Sequence, residues 1–191
     1  MINLISNWDW KILYVFYNPT VQNICLSSTV SVLAVYLIYF FPLFFLYLWL
    51  WKKEKILALQ SFLAGLFSWL ILCNLVGLFY FRSRPFVADQ NVQELLFHRP
   101  DRSFPSDHAA FTLAAALVIL WLGDKRWGWA LLVLTILIAL ARVAAGLHYP
   151  SDILVGWLLG LVTALIFRYF NHFIEGKICQ PIVKLAERLK L

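Results

Sequence analysis

Four stretches of the chain stay apolar for about the length of a bilayer crossing, and they dictate what it can become. They run over residues 25–51, 56–81, 127–147 and 150–170, each near or above the roughly 20 residues that span a hydrocarbon core as a helix. A shorter run covers residues 108–122. In hydrocarbon each backbone N–H and C=O must find its partner within its own segment. The expected fold class is therefore all-α, a polytopic membrane helix bundle with five transmembrane helices. Composition excludes a soluble globule: 62% of the 191 residues are hydrophobic and 14% charged, against about a quarter charged in an average soluble domain.

The flanks are different in kind. Residues 2–17 mix Trp8, Trp10, Ile12, Leu13 and Phe16 with Asn7, Asp9 and Lys11, as expected of a helix lying in the membrane interface; a partial sixth crossing is the alternative. This start lacks the pattern of a removable signal peptide, so insertion is expected from the spans themselves. Past Pro181, Ile182, Leu185 and Leu189 share one face of a short amphipathic segment. Neither a linker nor a second domain is visible, and residues 1–191 read as a single membrane-embedded domain. Cys25, Cys73 and Cys179 stand far apart, without the spacing of a disulfide framework or a zinc site.

The formal charge of +6 sets topology rather than nucleic-acid binding, because basic residues beside spans face the cytoplasm and anionic head groups. The links "WKKEK" (residues 51–55) and "GDKRW" (residues 123–127) and the tail with Lys177, Lys184, Arg188 and Lys190 are thus expected inside. Residues 82–107 and the link around His148 then lie outside. That outer segment carries Arg82, Arg84, Arg99 and Arg102, but also Asp89, Glu94, Asp101 and Asp107, which balances the rule.

Both outer links contain Pro-Ser-Asp, in "SFPSDH" (residues 103–108) and "HYPSDI" (residues 148–153). In the first, Ser106 is placed to cap the helix that follows, and the free N–H groups and positive dipole end of that helix make an anion site. The span has only about 16 residues, roughly 24 Å, so an anion bound there would sit slightly below the surface, attached to a lipid. In the second, Pro150 suits the first helical position and Asp152 the third, from which a carboxylate can reach back toward His148. A carboxylate-oriented imidazole is a nucleophile toward phosphorus or a general base; an interfacial histidine beside a dipole-favoured acid is the plainer reading. Arg142 lies inside an apolar run, where a guanidinium is costly unless it faces a cavity or partner. Arg84 has either the same use or a snorkelling one. Two histidines, an aspartate, two arginines and a helix N-terminus on one face point jointly to phosphate chemistry. Carboxylates clustered for magnesium and histidines for zinc are both lacking, so no metal or other cofactor is expected.

These residues resemble the type-2 phosphatidic acid phosphatase superfamily of membrane lipid phosphatases, whose pattern is KxxxxxxRP, PSGH and SRxxxxxHxxxD. The likeness runs through Arg84–Pro85, residues 105–108 and "ARVAAGLHYPSD" (residues 141–152), within about residues 79–160. It implies His148 as nucleophile forming a phosphohistidine, Asp152 as its orienting group and His108 as acid to the leaving oxygen. It also implies that Arg84, Arg142, Ser106 and the backbone near Asp107 bind the phosphoryl oxygens. Three positions depart: Gly77 stands where the lysine falls, with Arg82 as a candidate replacement cation; Asp107 replaces glycine; Ala141 replaces serine. "FPSDH", "RPFV" and "HYPSD" look like the bacterial bacitracin-resistance type of undecaprenyl-diphosphate phosphatase. That resemblance implies removal of the terminal phosphate of the carrier lipid at the outer face of a bacterial cell membrane, with a lipid phosphate and the bilayer as partners, and neither nucleic acid nor an obligate protein partner. The alternatives are hydrolysis of phosphatidic acid or phosphatidylglycerol phosphate, and a non-enzymatic lipid translocator. Phe79, Tyr80, Phe81 and Phe86 are candidates to pack against a prenyl chain.

Overall fold

A computed structural model describes residues 2–93, 95 and 100–189, with the side chains of residues 2–6 excepted. Glu94, Arg99 and Lys190 lie outside the described residues. Helix α1 (Ile2–Gln22) is followed by α2 (Ile24–Leu50) and α3 (Lys55–Phe79). A single helical turn, α4 (Pro85–Ala88), interrupts the connection that follows α3. Then come α5 (Asp107–Leu122), α6 (Lys125–Ala144), α7 (Pro150–Tyr169) and, beyond a π-helical turn at Glu175–Cys179, α8 (Gln180–Arg188). Four of these, α2, α3, α6 and α7, are long and apolar enough to cross a membrane, and α5 is the shorter apolar helix. Helix α1 runs five residues further than the expected interfacial segment.

Local chemistry fixes the ends. The Asn23 side chain accepts from the N–H groups of Cys25 and Leu26 at 3.0 and 3.2 Å to start α2. Asp124 accepts from Arg126 N–H at 2.8 Å to start α6. At the far end of α6, Gly146 takes φ +71°. Its N–H reaches the Val143 carbonyl and that of Leu147 the Arg142 carbonyl, both at 3.0 Å. This double bond pattern closes a helix on a left-handed residue. Pro150 then opens α7 as its first residue. The corner between α6 and α7 is therefore five residues long, with His148 inside it.

The shortest apolar helix occupies the centre. Helix α5 packs against α3, α6 and α7, and Ala109, Ala110, Ala114, Ala115 and Ala116 on it are all buried. Small residues let helix backbones approach where lipid offers no hydrophobic drive. Gly156 and Gly160 of α7 complete the seam: a Cβ at 156 would come 2.5 Å from the Ser106 carbonyl oxygen, and one at 160 would come 2.7 Å from that of Ala110. The periphery is apolar and exposed instead, as at Leu43, Leu78, Val133 and Leu154, which suits contact with lipid chains.

The basic links gather at one end, where residues from 53–57, 122–124 and 171–187 line a cavity of about 630 Å³. There Gln60 donates to Asn171 at 2.9 Å. In α8, Val183 is buried while Ile182, Leu185 and Leu189 stay exposed. At the other end α1 latches the segment between α3 and α5. Tyr14 donates to Asp89 at 2.8 Å, and the Tyr17 hydroxyl accepts from Gln93 N–H at 2.6 Å. The Asn91 backbone N–H and the Tyr14 hydroxyl hold the Asp89 carboxyl below its ordinary range. The latch is complete at neutral pH and weakens as pH falls through that lowered value.

Candidate active site

At that end the two Pro-Ser-Asp stretches meet. Ser106 N–H donates to the Asp152 carbonyl at 3.0 Å, a direct stitch between the start of α5 and the first turn of α7. Ser106 is the N-cap of α5, its Oγ 3.5 Å from Ala109 N. The two stretches form one corner from opposite sides and are not copies of a repeat.

His148 lies at the centre of this corner and is 2% exposed. Its Nδ1 is 2.9 Å from the Ser103 carbonyl oxygen. A carbonyl only accepts, so Nδ1 carries the proton and Nε2 the lone pair. Arg84 Nη1 stands 3.2 Å from that Nε2. The expected partner, Asp152, is further off: its Oδ2 is 3.7 Å from Nδ1 and instead accepts from Tyr149 N–H at 2.9 Å. Asp152 thus reaches back from the third helical position as expected, to the residue after the histidine. The ring itself is fixed by a backbone atom.

Arg84 is almost wholly buried and does not snorkel. Its Nε donates to Asp101 at 2.7 Å and its Nη1 to the Leu147 carbonyl at 2.9 Å. Arg142 is 3% exposed; its Nη1 lies 3.3 Å from the Ala34 carbonyl and 3.3 Å from His108 Nε2. The charge of Arg84 acts on Arg142. Two buried guanidiniums held within each other's field near a helix N-terminus have the chemistry to take a multiply charged anion.

The two departures at 77 and 107 have physical accounts. A Cβ at Gly77 would collide with the guanidinium of Arg102, 2.6 Å from its Cζ and 2.8 Å from its Nε. The cation over Gly77 is thus Arg102, which is anchored on Asn74 Oδ1 at 2.5 Å and brought there by an antiparallel bridge between Ser83 and Arg102. Arg82 points elsewhere, with Nη1 on Ser151 Oγ (2.7 Å) and Asp152 Oδ1 (3.0 Å) and Nη2 on Asp9 Oδ2 (2.7 Å). Burial opposes its charge, but Asp152 and Asp9 more than offset this and raise its pKa above the ordinary arginine value. Asp107 meets Trp69 and Cys73 of the π-helical stretch of α3, while the charges of Arg102 and Arg84 act on it.

His108 faces a different environment. It and Asp107 form the floor of a cavity of about 260 Å³ walled by Ile38, Tyr39, Pro42, Phe62, Leu66, Trp69 and Phe111. The one-turn 3-10 segment Leu37–Tyr39 in α2 and the π-helical stretch Phe67–Cys73 in α3 contribute to its walls. The expected aromatic residues are placed otherwise: Phe79, Tyr80 and Phe81 are exposed, and Phe86 packs against the clusters of Leu147 and Tyr149. Among the described residues, no group of three or more His, Cys, Asp or Glu side chains could hold a metal ion. Sequence reasoning assigned nothing to Ser103, Asp9 or the cavity walls. Ser103 meets the His148 ring through its main chain and the Asp152 carboxylate through its hydroxyl, and no residue-type signal marks it.

Comparison with known proteins follows the same residues. The family model of the PAP2 superfamily matches residues 58–175, a stretch that holds both histidines, Arg84, Arg142 and Asp152. Undecaprenyl-diphosphatase BcrC of Bacillus subtilis (strain 168) is 29% identical over 95% of this chain and 91% of its own. Bacitracin transport permease protein BcrC of Bacillus licheniformis is 34% identical over 73% of this chain and 69% of its own. The crystal structure of Aquifex aeolicus LpxE shares the fold, with a TM-score of 0.68 at 24% identity, covering 82% of this chain and 92% of that one. Apolar helices, the ordered motifs and a family match over more than half its length make this chain a membrane protein of the PAP2 superfamily.

Proposed function

We propose that the protein is an undecaprenyl-diphosphate phosphatase that removes the terminal phosphate at the outer face of a bacterial cell membrane and so recycles the carrier lipid. The basic links and the C-terminus then face the cytoplasm. The observation that carries the reading is the imidazole of His148, with Nδ1 on the Ser103 carbonyl at 2.9 Å and Nε2 turned to Arg84 at 3.2 Å. A neutral ring with its lone pair beside a phosphate-binding cation is a nucleophile ready for phosphorus.

Nε2 attacks the terminal phosphorus. A P–N bond forms as the P–O bond to the lipid phosphate breaks, and the electron pair leaves on that oxygen, to which His108, entering the step as the imidazolium, donates a proton and becomes neutral. Arg84, Arg142, Ser106 and the N–H groups at the start of α5 take up the charge spread over the phosphoryl oxygens. Arg102 adds a cation beside Asn74, and Arg82 holds Asp152. The phosphorylated imidazole keeps its Nδ1 proton on the Ser103 carbonyl. His108 then accepts a proton from water, which attacks phosphorus, breaks the P–N bond and releases inorganic phosphate. Each residue ends as it began, and the sum is one water consumed per diphosphate cleaved. No step requires a metal.

The apolar cavity above His108 suits the first isoprene units of the leaving lipid, with Tyr39 and Trp69 at its rim. Phosphate release by purified protein in chelator, with undecaprenyl diphosphate against phosphatidic acid, tests the reading. Faster turnover of the diphosphate is expected. Activity abolished by chelation and restored by a divalent metal overturns the histidine mechanism, and preference for phosphatidic acid overturns the substrate assignment.

A further inference from the structure

Asp9 lies 49 residues ahead of the matched family region, on a helix whose sequence reads as an interface anchor. It is nonetheless 3% exposed, and both oxygens are engaged. Oδ1 accepts from Ser151 N–H at 2.9 Å, while Oδ2 accepts from Ser151 Oγ at 2.6 Å and Arg82 Nη2 at 2.7 Å. Ser151 N–H is one of the free donors at the start of α7, and an acidic side chain satisfies it well. The other arm of Arg82 holds Asp152 Oδ1 at 3.0 Å, and its guanidinium lies 3.6 Å from the centre of the Tyr149 ring. Trp10 of α1 meets that ring edge-on at 5.1 Å. Burial pushes the Tyr149 phenol up to about 12, with Arg82 opposing and Asp152 and Asp9 adding to the rise, so this neighbour stays neutral.

We propose that Asp9 is a positioning residue for the phosphoryl-transfer site: through Ser151 and Arg82 it holds Asp152 and the corner that carries His148, making helix α1 part of the catalytic apparatus. The proposal rests on the reading of His148 as nucleophile. A buried acid that only anchored α1 would need one partner. Asp9 instead joins three groups that converge on Ser151 and Asp152. The cluster also carries charge. Asp9, Arg82 and Asp152 sum to one negative charge beside an imidazole that becomes cationic when phosphorylated. His148 is otherwise faced by Arg84 with its partner Asp101 from the outer segment, by the Ser103 carbonyl, and across the site by Asp107, His108 and Arg142.

Asp9→Asn keeps the shape and removes the charge. In purified protein it is expected to lower kcat about 10- to 100-fold, the scale of a small misplacement of a reacting group, with KM within about threefold. The acid limb of the kcat/KM profile moves to lower pH, because one negative charge that favours the imidazolium is gone. Asp9→Glu keeps the charge but not the reach: its acid limb returns to the wild-type position while kcat stays at least about fivefold low. A residue that only anchors α1 would lower Tm in both variants and leave kcat per folded molecule and the pH profile unchanged, which overturns the proposal. If Asp9→Asn does not fold, Asp9→Glu decides alone: reduced kcat at wild-type Tm supports the proposal and wild-type kcat rejects it. His148→Ala runs alongside. Activity retained there rejects the nucleophile itself, whereas an inactive His148→Ala beside an unaffected Asp9→Asn rejects only the role of Asp9.

Discussion

The two histidines of the site occupy opposite kinds of surroundings. His148 is enclosed: a carbonyl on one nitrogen, an arginine on the other, and a short corner closed by Gly146 and Pro150. His108 sits on the first turn of α5, with Arg142 at 3.3 Å on one side and an apolar cavity on the other. In the mechanism proposed above, the difference would answer two chemical demands. A nucleophile must hold one tautomer and one direction whatever the substrate, so its partners are rigid backbone and buried cations. A proton donor must meet the leaving group, the part of the substrate that varies, and His108 lines the apolar cavity proposed to take the lipid.

Replacing each histidine sharpens this contrast. His148→Ala is expected to reduce phosphate release by about 10⁴-fold or more on every substrate, the usual scale for loss of a nucleophile. His108→Ala should cost about 10³-fold on an alkyl monophosphate, whose leaving alkoxide needs a proton, and only about tenfold on the diphosphate of the same alkyl chain. The measurement is the ratio of kcat/KM for the two substrates in each variant. Equal losses across substrates for His108→Ala would remove the distinction between a general acid and a structural residue.

Arg84→Lys probes the enclosed side. Lysine keeps the charge but cannot hold Asp101, the Leu147 carbonyl and the His148 ring at once. A loss of about 10²-fold in kcat is expected, the cost of one misplaced donor to a transition state. Full activity in this variant would mean that charge alone suffices and that the fork of the guanidinium is incidental.

How much of this was legible in the sequence follows from how far each signal acts along the chain. Hydrophobic length yields the helices because a bilayer tests each span separately. The caps Ser106 and Pro150, and the reach-back of Asp152, depend on neighbours within a few residues. Asp9 and Ser151 are 142 positions apart, and nothing in "NWDWK" signals a partner so remote. Gly77 and Arg102 show the same limit: the sequence offers Arg82, five residues away, as the replacement cation, whereas the guanidinium that lies over Gly77 comes from residue 102 through the bridge with Ser83. Gly77→Ala tests this pairing with a moderate effect. The added Cβ displaces the Arg102 guanidinium, which is expected to lower kcat/KM roughly fivefold. It should cost nothing further once Arg102→Ala is present; independent, multiplying losses would separate the two residues.

The smallest expected effect falls on the residue nearest the nucleophile. Ser103 is fully buried and its carbonyl fixes the His148 tautomer, while its hydroxyl makes a long 3.4 Å contact to the Ser83 carbonyl and also bonds the Asp152 carboxylate, which Tyr149 N–H and Arg82 hold without it. Every amino acid carries that carbonyl, so Ser103→Ala preserves the contact that matters to the ring. Its position is set by main-chain bonds, Ser103 N–H to the Arg82 carbonyl at 2.8 Å among them, and these too survive the substitution. Turnover is therefore expected within about threefold of wild type, beside a drop of about 10⁴-fold when the ring itself is removed. A loss above roughly tenfold in Ser103→Ala, at unchanged Tm, would move the orienting role from the main chain to the hydroxyl. The enclosure of His148 would then rest on a side chain that mutation can remove, like the side of the site that faces His108.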